Sequence, residues 1–454
     1  MRPPRRPSIN GWRVTSLTST ASLSLEQAPP ISVPFRFFLT APLFLLLAAL
    51  LLMLEGAAVL TDRWSPLTLS MTHLFTLGVL GQVMMGAMLQ MLPVLAGSPV
   101  PRVVPLAITV HLATSLGTLA LVAGFLGAGA LWMKLAVCLL AGGFALFIGG
   151  VGIALWRVVR VSATVIAMRL AVLGLLVTVL LGLYLAAAQL WKLPYVDLIM
   201  LTNTHLAWGG TAWVGLLIVG VGYQVVPMFQ LTPEYPLRLQ RLFAPLLFAA
   251  LLVWSLDYWS ISAAPWLALL VGSGFMLFAL VTLHLQRRRR RKLADVTLNF
   301  WRLGLGLVVL AWLLMLTRAL SDLNLDLWLG VCLIFAVLSI INGMLYKIVP
   351  FLSWFHLQHQ KTASLAGGGP RIPSMKELLP DRFARRQWYL HLLALLLWAG
   401  VLAVGDSLTL PAGLFLGLSS LLLCYNLVRV VLKFRHLQAE LRAAAPAGAV
   451  DQHY

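Results

Sequence analysis

The sequence predicts an all-α integral membrane protein of about twelve transmembrane helices in three pseudo-repeated four-helix units. Three observations carry that prediction. First, 60% of the 454 residues are hydrophobic and 10% are charged, with a mean hydropathy of +0.92, whereas soluble domains carry about 25% charged residues. Second, one short phrase recurs three times near the ends of long apolar runs: MGAMLQMLPVL at 85–95, VGVGYQVVPMF at 219–229 and NGMLYKIVPFL at 342–352. Its members are Gly86, Gln90 and Pro93; Gly220, Gln224 and Pro227; Gly343, Lys347 and Pro350. The prolines lie 134 and 123 residues apart, room for four membrane helices of about 20 residues per unit. Third, the basic residues fall in alternate connections.

The elements follow in order. Residues 1–34 are rich in Pro, Ser and Arg with Glu26 as their one acid, a composition expected to form a disordered basic cytoplasmic tail. The twelve-helix membrane domain spans 35–435, with units at about 35–156, 166–285 and 297–435. Backbone in lipid must satisfy its own hydrogen bonds, so its apolar runs are helices. They are expected near 36–58, 68–95, 104–126, 132–156, 166–190, 198–230, 243–262, 265–285, 297–320, 325–352, 388–405 and 411–433. The segment TASLAGGGPRIPS after residue 361 reads as a flexible linker by its Gly and Pro content, and 436–454 as a second cytoplasmic tail.

Orientation follows from charge. One set of connections holds Arg102, Arg157, Arg160, Arg238, Arg241, the run Arg287–Lys292, Lys361, Arg371, Arg385, Arg386, Lys433 and Arg435, together with the basic N-terminus. The alternate set holds Asp62, Arg63, Lys192, Asp197, Asp257, Arg318, Asp322, Asp326 and Asp406. The positive-inside rule then places both termini in the cytoplasm of a bacterial inner membrane. The net charge of +19 reads as lipid-facing anchors, with the bilayer as partner and nucleic acid excluded. Cys138, Cys332 and Cys424 have no metal or redox spacing.

In the repeated phrase, proline frees a carbonyl one turn back, glycine admits another backbone, and the Gln or Lys tip is placed to snorkel or to bond the freed carbonyl. Ionisable groups inside a membrane are costly and mark function. His73 (SMTHLFTLGVLGQVMMG) and His205 (LTNTHLAWGGTAWVG) open the second and sixth helices, 20 and 22 residues before their prolines. At matched depth they are candidates to face one cavity and hold a cofactor; the alternative is a pair of neutral imidazoles satisfied by Thr or backbone. The third unit has Trp328, Gly330 and Cys332 at comparable depth. Met84 and Met91 share the His73 face at about 100° per residue, and thioethers suit Cu(I). Metal ligands are therefore expected among His205, Cys332 and Met84. Tyr223, on the His205 face, either lines a path or packs. His111 and His391 have no partner at recognisable spacing.

Twelve helices in three units, with histidines near the external ends of helices 2 and 6, resemble the catalytic subunit of haem–copper oxidases and nitric oxide reductases. The resemblance implies haem ligation by His73 and active-site metal ligation by His205. The chain departs from that family in lacking a histidine pair on helix 7 and any histidine between Lys292 and His356, so a complete oxygen-reducing centre is not implied. MTHLFTLGVLGQVMMGAMLQ also resembles the corresponding segment of diverged oxidase-like proteins, including nitric-oxide-response proteins of the NnrS type, although their Trp-His-x-His signature is absent.

The expected function is a haem- or copper-binding inner-membrane protein of respiratory or nitric-oxide-related metabolism, served by a redox partner protein, with its reaction left open. Two alternatives stand beside it: a copper, metal or small-solute transporter, and a cofactor-free structural or assembly protein. No phosphate-binding glycine loop, His-Glu-x-x-His or similar soluble-enzyme motif competes.

Overall fold

The computed structural model describes residues 28–193, 197–258, 264–290, 292, 295–365 and 369–444. The expected tails therefore fall largely outside the described residues, as do the side chain of Asp257 and part of the Arg287–Lys292 run.

The described residues are helical and hold no strand. Among the described residues, twelve helices are long and apolar enough to cross a membrane: α1 Ser32–Leu60, α2 Pro66–Ala96, α3 Val103–Phe125, α4 Ala130–Trp156, α5 Ala163–Trp191, α6 Leu198–Gln230, α7 Leu237–Leu256, α8 Pro265–Arg287, α9 Val296–Leu320, α10 Asp326–Thr362, α11 Asp381–Val404 and α12 Asp406–Ala444. The architecture is that of a multi-pass membrane protein. Outward rows such as Leu43, Leu47, Leu50 and Leu54 on α1, or Leu414, Leu418 and Leu421 on α12, are exposed, and an apolar surface of this extent fits a bilayer rather than water.

Successive spans pack as neighbours round the bundle, and α1 lies against α12, so the ring closes. Burial then sorts the spans. The central window of α2 is 83% buried, that of α6 61% and that of α10 56%, against 22–50% for the others. These three form the middle of the bundle, and they are the spans that carry the repeated phrase.

The glycine of each phrase meets the span that precedes its own. A Cβ on Gly86 would stand 2.8 Å from Phe37 Cβ of α1, one on Gly220 would stand 2.5 Å from Ala167 Cβ of α5, and one on Gly343 would stand 2.9 Å from Phe300 Cβ of α9. Glycine is needed at these three positions because the neighbouring helix occupies the space of a side chain.

The polar members of the phrase differ from one another. Lys347 does not reach for a freed carbonyl; its Nζ pairs with Asp295 Oδ2 at 2.7 Å. Asp295 caps α9 by accepting from Thr297 N and Thr297 Oγ1 at 3.0 and 2.7 Å. Gln90 is buried, with no partner for its Oε1 among the described residues, and Gln224 is half-buried.

Two ends also differ. The segment expected as a linker after residue 361 stays helical through Leu365, then forms a capped turn, Met375–Leu378, in which Ser374 and Glu377 make a reciprocal capping box. The helix expected to end near 433 continues to Ala444. Beyond the apolar run, Phe434, Leu437 and Leu441 keep helical spacing and pack on Leu357 of α10, and that amphipathic stripe carries the helix past the membrane.

Gly343→Leu should lower the thermal stability of detergent-solubilised protein by about 1–3 kcal/mol, the cost of overpacking. Gly306→Ala, whose added Cβ meets nothing within 4 Å, should stabilise by about 0.5–1 kcal/mol as a helix substitution. Equal melting temperatures for the two variants would remove the close-approach argument.

Burial raises the Asp295 carboxyl, but the Lys347 ammonium and the Thr297 hydrogen bonds outweigh it and hold the group below the usual carboxylate range. A depressed carboxylate contributes stability that is fully present above its unfolded pKa of about 4 and is lost as pH falls through the folded value. Asp295→Asn should cost about 1–2 kcal/mol at pH 7, intermediate between surface and buried pairs. In melting curves taken from pH 7 downward, the difference from wild type should close only below about pH 4; a gap independent of pH would refute the assignment.

Candidate functional site

The centre of the bundle is irregular in two places. In α2, residues Leu74–Gly81 form a π-helix that begins directly after His73. In α6, Trp208–Gly215 form a second, beginning three residues after His205. Both start nineteen residues before the proline of their phrase and end twelve before it. A π-turn bonds i to i+5 and recurs at functional positions. Its widened backbone is eased here by Gly78 and Gly81 in α2, and by Gly209, Gly210 and Gly215 in α6. The stretch at the same distance from Pro350, Val331–Leu338, is ordinary α-helix.

The two histidines are held alike. His73 Nδ1 lies 2.8 Å from the carbonyl oxygen of Leu69, one turn earlier, and its ring tilts against Phe125 at 5.4 Å. His205 Nδ1 lies 2.9 Å from the carbonyl oxygen of Thr178 on α5. Its ring sits over Gly182, where a Cβ would stand 2.8 Å from Cε1. A carbonyl can only accept, so each Nδ1 carries the proton and each Nε2 is left as an unprotonated lone-pair donor. Both imidazoles are half-buried.

The other expected ligands are placed less directly. Counting about 100° per residue puts Met84 and Met91 on the His73 face only if the intervening helix is α throughout. The π segment turns more slowly per residue, so that face assignment does not carry across it. Met84 is buried at 5% exposure and Cys332 at 6%. Among the described residues, no group of three or more His, Cys, Asp or Glu side chains is arranged to hold a metal ion. Tyr223 packs: its ring lies edge-on to Tyr235 at 5.2 Å and to Phe278 at 6.4 Å.

His111 and His391 each have a hydroxyl partner that spacing did not reveal. His111 Nε2 meets Thr40 Oγ1 at 2.8 Å, and His391 Nε2 meets Ser339 Oγ at 2.8 Å. Sequence reading also missed an ion cluster at the end of the bundle nearest the two histidines. Arg63, in the α1–α2 connection, donates to Asp326 Oδ2 at 2.9 Å and to the side-chain oxygen of Asn203 in α6. Arg318 reaches Asp326 Oδ1 at 3.1 Å. One carboxylate at the N-terminus of α10 thus joins two arginines, and the cluster ties the entrances of α2, α6 and α10 together. The legible signal for the π segments was the glycine density immediately after each histidine; nothing local announced the ion cluster.

No protein-family model and no curated protein matches this chain.

Asp326→Ala should destabilise the protein more than Arg318→Ala, because it leaves Arg63 and Arg318 without their shared partner. About 2–4 kcal/mol is expected for the first and under about 1 kcal/mol for the second, whose side chain is half-exposed. Thermal unfolding of the two variants in one detergent checks the order, and the reverse order would show that the cluster does not act as a unit.

Proposed function

We propose that this chain is a bacterial inner-membrane protein of three four-helix units, both termini cytoplasmic, that holds a haem or copper centre between α2 and α6. The protein ligands in this reading are the Nε2 atoms of His73 and His205. The observation that carries it is their shared tautomer. A metal-binding imidazole characteristically donates its other N–H to a carbonyl or carboxylate, which fixes the ring and raises its basicity, and both histidines donate Nδ1–H to a backbone carbonyl.

The imidazoles of His73 and His205 would be the residues that hold a haem, whose porphyrin would supply the remaining donors. A copper ion would draw on soft ligands as well, for which Met84 and Cys332 are the candidates. When bound, such a group supplies electron transfer or small-gas binding in respiratory or nitric-oxide-related metabolism, with electrons from a redox partner protein. This chain's residues orient the ligands: Leu69 and Thr178 through their carbonyls, Phe125 through ring contact, and Gly182 by leaving room for His205.

The repeat reading is supported by the equal offsets of the two π segments from their prolines and by the common role of Gly86, Gly220 and Gly343 against the preceding span. The orientation is supported by the basic connections.

A second reading, transport of a small solute or metal ion, is favoured by the Arg63–Asp326–Arg318 cluster. It closes one end of the central helices over two segments of weakened helical geometry, an arrangement a gate would need.

Reduced-minus-oxidised spectra and metal analysis of protein purified in mild detergent test the first reading. Wild type should carry haem bands or bound copper, and His73→Ala and His205→Ala should lose them at unchanged membrane abundance. A full complement in the double alanine variant would exclude these ligands. A colourless, metal-free protein would move the weight to transport or to a cofactor-free structural role.

A further inference from the structure

The last four spans enclose a set of polar groups that no described protein atom satisfies. Trp301 Nε1 on α9, Asn342 Nδ2 on α10, Gln387 Oε1, His391 Nδ1 and Trp398 Nε1 on α11, and Asn426 Oδ1 on α12 have no hydrogen-bond partner among the described residues. None of these side chains belongs to a residue more than 2% exposed.

The protonation of His391 can be derived. Ser339 Oγ donates its one proton to the Phe335 carbonyl at 2.6 Å, so the 2.8 Å contact with His391 must be Nε2–H donating to Ser339. His391 Nδ1 is then a bare lone pair.

These groups are connected rather than scattered. Asn426 Nδ2 donates to Tyr346 Oη at 2.9 Å and to the Phe383 carbonyl at 3.3 Å. Tyr346, Asn342 and Ser339 follow one another up one face of α10 at helical spacing. Gln387 Nε2 donates to Ser419 Oγ at 2.8 Å, and Gln387 lies one turn from His391. Phe335 touches both His391 and Trp398, with ring centroids 5.6 and 5.8 Å apart. From Phe383 to Trp398 the ladder follows α11 for about 22 Å. At its upper end Trp398 packs edge-on against Phe75 at 5.7 Å, and Phe75 lies in the π segment, two residues past His73.

A buried polar group left unpaired costs at least as much as a lost hydrogen bond, and such groups are normally explained by ordered water. The unpaired set mixes donors (two indole N–H groups and an amide N–H) with acceptors (two amide oxygens and an imidazole nitrogen). An anion would satisfy only the donors and a cation only the acceptors; water satisfies both. We infer that α9–α12 hold a file of ordered water molecules, running from Asn426 past Gln387 and His391 to Trp398, that carries hydration from one end of the bundle to the wall of the His73 segment. This inference stands independently of any metal at His73.

Water-edited solid-state NMR of the full protein, labelled with ¹⁵N and reconstituted in lipid bilayers, tests it. His391→Gln identifies the His391 signal; if that variant does not assemble, sequential assignment through Tyr389 and Leu390 locates it. The expected result is magnetisation transfer from water to the His391 ring and to the side-chain amides of Asn342 and Gln387, at mixing times comparable to those of exposed His436. Transfer to His436 but to none of the three would show a dry interior and overturn the proposal. Transfer to His391 alone would reduce it to one isolated water and overturn the file.

Discussion

A hydroxyl in a membrane helix has one proton, and in this fold the carbonyl four residues earlier takes it. Thr40, Thr114, Thr178, Thr204, Thr282 and Ser339 all donate in this way at 2.6–2.8 Å. With no bulk water to compete, the back-bond is the cheapest way to bury the group. Once its proton is committed, the hydroxyl can only accept. The side chains that meet these and similar hydroxyls accordingly include N–H donors: Gln82 on Thr114, Trp208 on Ser255 and Trp312 on Ser273. His111 and His391 must follow the same rule and carry their protons on Nε2. His73 and His205 meet backbone carbonyls through Nδ1 and carry the proton there. Four histidines of one protein are thus sorted into two tautomeric classes by their neighbours, and only one class presents Nε2 as a base.

The same scarcity of partners explains where regularity fails. A π-turn shifts the hydrogen-bond pattern and leaves a wider, weaker turn. Such turns are tolerable in α2 and α6 because these are the most enclosed spans, with protein rather than lipid around them. Ala212, inside the α6 segment, sits against Gly174 of α5, and Gly78, inside the α2 segment, sits against Phe44 of α1. Close contacts of this kind hold the irregular backbone in one conformation, and in α6 they lie against the face of α5 (Gly174, Thr178, Gly182) that also receives His205.

Much of the fold was legible in the sequence because the bilayer imposes a strong one-dimensional signal. The twelve apolar runs, the singular character of helices 2, 6 and 10, and the close approach at Gly86, Gly220 and Gly343 all follow from residue type and spacing. What was not legible depends on contacts between distant segments. The partner of Lys347 is 52 residues earlier, that of His391 is 52 residues earlier on another span, and that of Arg63 is 263 residues later. The continuation of α12 was missed because the apolar-run criterion stops where amphipathic periodicity takes over. The face shared by His73 and Met84 was read with an α-helical rotation that the π segment interrupts.

The contact between α1 and α12 bears on how the chain is made. Asp406, at the start of α12, accepts from Ala57 N–H at the far end of α1 at 2.6 Å, Ser420 donates to the Pro42 carbonyl, and Gly413 gives room to Met53. α1 therefore has two partners, α2, which follows it directly in the chain, and α12, which is made long after it. Until α12 is made, α1 is held by its hydrophobicity and by α2, with the Pro42 carbonyl and the face toward α12 unmatched. The contact of α1 with α12 is thus made late, and a chain truncated before α12 would leave that face of α1 without its partner.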